Sequence, residues 1–149
     1  MKSKKLSFEI MRRTTHPDLT LFVIGLHVNR MFELKPEAKT VFGYAPEDKV
    51  SSVQSAMHGR LFSQVFDSIF QMLGPDIEFV EEVLEQVGKR HVKMGISPTF
   101  FSYMGKALLF AVEEALKRPL SEDETAAWLE VYDSISSEMI RVMKVHGAK

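Results

Sequence analysis

The stretch Glu85-Gln86-Val87-Gly88-Lys89-Arg90-His91-Val92-Lys93-Met94-Gly95-Ile96-Ser97-Pro98 decides the fold. The apolar residues Ile77, Val80, Leu84 and Val87 recur at steps of three and four, so a helix over residues 76–91 carries His91 on its buried face. A core-facing imidazole needs a hydrogen-bond partner or a ligand. Gly95 followed by Ser97-Pro98 reads as helix end, N-cap and first-turn proline, and a second helix over 98–117 buries Phe101, Met104, Leu108 and Val112.

Moving outward, Ser121-Glu122-Asp123-Glu124 has a serine N-cap with glutamate three residues on, a capping box that opens a last helix running to about residue 144. Its inward residues are Ala127, Trp128, Val131, Ile135, Met139 and Val142. Upstream, a long amphipathic helix over 50–73 keeps His58, Phe62, Val65, Phe66, Ile69 and Met72 in phase until Gly74-Pro75-Asp76 stops it. A helix over 18–34 has Leu19, Phe22, Val23, Leu26, Arg30 and Met31 in period, and Pro36 forces a new start. Residues 6–13 make a short first helix ended by Thr14-Thr15-His16-Pro17. No segment alternates with period two, so the chain is all-α and needs no strand.

The 149 residues suit one domain, 1–149, with a single core. Nineteen Lys and Arg balance 20 Asp and Glu, without a basic block beyond residues 2–5, so there is no electrostatic footprint for nucleic acid. The absence of cysteine excludes disulfides, iron–sulfur clusters and any group held through a thiol. The most apolar run, residues 19–28, is far shorter than the about 20 residues that cross a bilayer, and the N-terminus lacks an apolar leader core. The expectation is a soluble cytoplasmic protein, monomer or homodimer, with no membrane partner. His58 and His91, 33 residues apart, match no zinc spacing, and there is no phosphate-cradling glycine loop or nucleophile elbow. From periodicity alone the reading stays open to an all-helical, cofactor-free interaction module in which both histidines are structural.

The run from Gly88 to Ile96, continued by Phe101-Ser102-Tyr103-Met104-Gly105-Lys106-Ala107-Leu108-Leu109, resembles the F helix, FG corner and G helix of haem globins. Ala126-Ala127-Trp128-Leu129-Glu130-Val131-Tyr132 is similar to the opening of their last helix. Arg30-Met31-Phe32-Glu33-Leu34-Lys35-Pro36-Glu37-Ala38, with Phe42 and Tyr44, resembles their B-to-C passage. Neuroglobins and the globin domain of flavohaemoglobins are the nearest in pattern. The resemblance implies a globin fold with helices A, B, C, E, F, G and H, the D helix being short or absent, around haem b (protoporphyrin IX iron).

It further implies that His91 is the axial iron ligand and His58 the distal histidine, capable of six-coordination; Gln54, one turn earlier, is the alternative distal residue. Phe42, Phe62, Val87, Ile96, Phe101 and Met104 would wall the porphyrin in apolar contact, and Tyr44, Arg60 and Lys93 would meet its propionates. The implied function is reversible binding of oxygen, carbon monoxide or nitric oxide, in oxygen transport or sensing. The alternative is a nitric oxide dioxygenase that needs an external reductase. Departures are also legible. Val28 stands where relatives place an aromatic, Phe62 exceeds the usual distal valine, Leu61 replaces a neuroglobin lysine, and Phe101 replaces a flavohaemoglobin tyrosine.

Overall fold

A computed structural model describes residues 7, 9, 10, 28–51 and 77–148, with residues 77–80 as backbone only. Every regular element among these is helical. Residues 28–34 form α1, Pro36–Phe42 a short 3-10 helix, Ile77–Lys93 α2, Phe100–Leu116 α3 and Glu122–Val145 α4. The expected all-α class is borne out. Segments 52–76 and 11–27, with the expected distal helix and most of the expected 18–34 helix, lie outside the described residues.

Local sequence chemistry explains where each helix stops. Lys93 is the last residue of α2, and Gly95 follows at φ 72°, a left-handed conformation that side chains with a Cβ disfavour. Its N–H donates to Val92 O and that of Ile96 to His91 O, closing the chain into a double-bonded C-terminal cap. The cap seats Ile96 directly beyond His91. Pro36 starts the 3-10 helix and Gly43, at φ 81°, ends it. Helix α4 carries the expected capping box: Glu124 N–H donates to Ser121 Oγ at 3.2 Å and Ser121 N–H to Glu124 Oε2 at 2.9 Å. Arg118 adds a two-pronged pair with Glu124 at 2.8 and 2.9 Å.

Helix α3 begins two residues later than the N-cap reading of Ser97 implies. Phe100 N–H bonds to Ser97 O and Phe101 N–H to Pro98 O, both i to i+3 contacts, so the entry is a tight turn that becomes α-helical only at Phe100. The N-cap is therefore Thr99, which makes no side-chain capping bond, and Ser97 Oγ accepts from Thr99 N–H at 3.3 Å within the turn before the helix.

Three apolar clusters join these elements. Leu84 of α2 packs on Met139 and Met143 of α4. Leu108 and Val112 of α3 pack on Trp128, Val131 and Tyr132 of α4. Val28, Met31 and Phe32 of α1 join Ala38 and Ala107. Glycine sets two close approaches: a Cβ on Gly88 would meet Val142 Cγ1 at 2.7 Å, and one on Gly105 would meet Tyr132 Cε1 at 2.8 Å. Helix α4 is thereby the shared floor on which α2 and α3 lie. The short first helix is represented by Ser7, which is buried and hydrogen-bonds the Glu130 carboxylate on α4. Among the described residues no helix is long and apolar enough to cross a membrane.

Candidate cofactor site around His91

His91 lies in the last turn of α2, one turn after Val87. Its Nδ1 stands 2.8 Å from Val87 O. A carbonyl oxygen can only accept, so Nδ1 carries the proton and the neutral ring keeps its lone pair on Nε2. Burial pushes the His91 pKa below the ordinary histidine value, opposed in part by the bond to Val87. The group is therefore neutral near pH 7, the form that ligates metal. Phe101 of α3 walls the imidazole, ring centroids 5.9 Å apart and planes tilted by 36°.

The ring borders a cavity partly open to solvent, about 490 Å³ when the open space at its mouth is counted. Its described lining is apolar apart from His91, and it is drawn from α1, the 3-10 helix, the corner after α2 and the start of α3. Phe42, Ile96, Phe101 and Met104, all expected from the sequence, are brought together there with His91. The edge of Phe42 meets Phe32 at 5.2 Å and 78°.

Three expected residues are not in this lining. Val87 packs beside the cluster of Leu84, Met139 and Met143 and borders a second opening with Glu82, Val83, Gln86 and Arg90. Tyr44 is half-buried on the turn after the 3-10 helix, its N–H donating to Lys39 O, and Lys93 is exposed at the end of α2. His58 and Phe62, with Gln54 and Arg60, lie outside the described residues. Val28, the position where the resemblance places an aromatic of the distal pocket, lines the cavity too, and so do residues that the sequence does not single out for the site: Phe32, Ala38, Val41, Phe100 and Met31. Met31 was in phase on its helix, but the others carry no polar atom or spacing that separates a cavity wall from ordinary core.

Within the described fold, helices bring one neutral histidine to the edge of an apolar cavity, so the chain is an all-helical protein with a candidate cofactor cavity. Residues 27–139 match the family model for globins. The chain is 30% identical to a neuroglobin of Danio rerio, over 79% of this chain and 77% of that protein. It is 28% identical to one of Tetraodon nigroviridis, over 80% and 77%, and 28% identical to one of Chaenocephalus aceratus, over 74% and 72%. The chain belongs to the globin family. The family implies haem, and the described residues fit it: an imidazole with its Nε2 lone pair available suits the iron, and an apolar cavity suits a flat aromatic macrocycle.

Proposed function

We propose that this chain holds haem b through His91 Nε2 and reversibly binds a diatomic gas, oxygen, carbon monoxide or nitric oxide. The observation that carries the reading is the commitment of His91 Nδ1–H to Val87 O, which leaves Nε2 as the available ligand atom at a cavity whose described lining is otherwise apolar. Haem held there would supply the iron chemistry that takes up the gas. The chain's own contribution is orientation and exclusion of water. Val87 O holds the imidazole in one tautomer, as the outer partners of metal-bound histidines do. Phe42, Ile96, Phe101 and Met104 line the cavity with carbon, and among them only a thioether could compete as a ligand atom, so they would hold the group by apolar contact. Lys93 and Tyr44 are the proposed contacts for the propionates, and His58 the proposed distal residue that competes with the gas.

The test is spectroscopic. Expressed with ample haem, the purified protein shows a Soret band at about one haem per chain, and His91→Ala loses tight binding. A wild-type protein that stays colourless overturns the reading. For the distal part, His58→Leu speeds carbon monoxide binding to the reduced protein; an unchanged rate leaves Gln54 as the residue to vary next.

A further inference from the structure

A buried tyrosine lies beside the site without being part of the cavity lining. Tyr132 of α4 is 7% exposed, and its hydroxyl donates to Phe101 O at 2.6 Å. That carbonyl belongs to the first turn of α3, and a carbonyl has a second lone pair for such a donor beside its helical partner. The tyrosine ring can reach this place because residue 105, one turn along the same face of α3, is glycine: a Cβ there would stand 2.8 Å from Cε1 and 3.0 Å from Cδ1. Desolvation, with a smaller push from the charge of Asp133, raises the Tyr132 pKa well above the usual phenol value, so the hydroxyl keeps its proton and stays a donor.

The side chain of the residue so gripped is the aromatic wall of His91, 5.9 Å from ring to ring. His91 is held on its other edge by Val87 O from its own helix. The imidazole thus has one restraint from α2 and one from α3. The second is anchored through Phe101 to α4, the helix that also carries α2 at the Gly88–Val142 crossing.

We propose that Tyr132 is a positioning residue for His91, acting through the Phe101 backbone to fix the plane of the imidazole; the inference rests on His91 being the haem ligand. Two measurements separate that dependence. In the haem-free protein, nitrogen NMR of the His91 ring reads the tautomer and the exchange of Nδ1–H with water. In the reduced haem protein, resonance Raman reads the iron–histidine stretching band. Tyr132→Phe, which keeps the ring and removes only the donor, speeds Nδ1–H exchange and haem loss by roughly fivefold, the scale of one net hydrogen bond, and shifts or broadens the Raman band. Phe101→Leu, with the tyrosine intact, changes the same signals. An exchange effect in a protein that binds no haem supports the positioning role while sinking the haem reading. If Tyr132→Phe lowers only the melting temperature and leaves the His91 signals and the Raman band untouched, the role is merely structural and the proposal fails. It fails also if Phe101→Leu leaves the His91 signals unchanged, because the coupling then does not run through Phe101.

Discussion

At the scale of single residues, His91 combines two opposed influences on one ring. Burial disfavours its charged form, while the Val87 carbonyl, which accepts from Nδ1 in either protonation state, favours it; the direction that wins is downward. The unfolded chain therefore binds this proton more readily than the folded one. Stability from this group is full above the ordinary histidine pKa of about 6.5 and is lost as pH falls through the depressed folded value. The haem-free wild type is expected to lose more stability to urea between pH 7 and pH 5 than His91→Leu does. Equal losses in the two proteins would show that the imidazole is not desolvated in the fold. The same protonation blocks Nε2, so haem retention weakens over the same window.

At the scale of elements, the termini and crossings of the helices carry testable energies. The Ser121 cap closes an otherwise unsatisfied end of α4, and Ser121→Ala is expected to cost about 1 kcal/mol, or roughly 3 °C of melting temperature. Its partner Glu124 is held down to about 2, first by the Arg118 side chain and then by the Ser121 N–H. Because the folded value is the lower one, this stability is present above the ordinary carboxylate range and fades as pH drops toward 2; Arg118→Ala flattens that acid limb. At the α2–α4 crossing, Gly88→Ala forces the Val142 side chain to yield and is expected to destabilise by about 1–3 kcal/mol in denaturant titration. Val142→Ala in the same chain should recover part of that loss, which a simple helix-propensity effect of alanine would not require.

At the scale of the whole molecule, the cavity lies where four of the described elements meet, α1, the 3-10 helix, the end of α2 and the start of α3. A group filling it would touch all four and be bound by the folded chain alone, so haem held there as proposed is expected to raise global stability by mass action, by about 2.7 kcal/mol at a hundredfold excess over its dissociation constant. Calorimetry of wild type and His91→Ala with and without haem checks this, the variant being expected to gain much less. The sequence holds no glycine loop of the kind that cradles a nicotinamide or flavin phosphate. Nitric oxide consumption by the purified chain with NADH is accordingly expected to be slow until a reductase is added, and fast turnover without one would contradict the gas-binding reading.

Much of this was legible along the chain because the signals are local. The 3.6-residue period placed His91 on an inward face, and Gly95, Pro36 and the Ser121 box marked ends that the backbone hydrogen bonds then occupied. By itself the sequence thus determined the helical class, the ends of the last three helices to within about two residues and the phase of the histidine. The tertiary structure decided which neighbour each inward residue meets. Val87 and His91 share a face of α2, yet Val87 packs beside the α4 cluster while His91 borders the cavity, and Phe32 and Phe100 turn out to be cavity wall rather than plain core. Periodicity states an angle about a helix axis, and the partner at that angle depends on where other helices cross. The closeness of those crossings, at Gly88 and Gly105, and the Tyr132 bond to Phe101 join residues 54, 27 and 31 positions apart, distances over which no local pattern reaches.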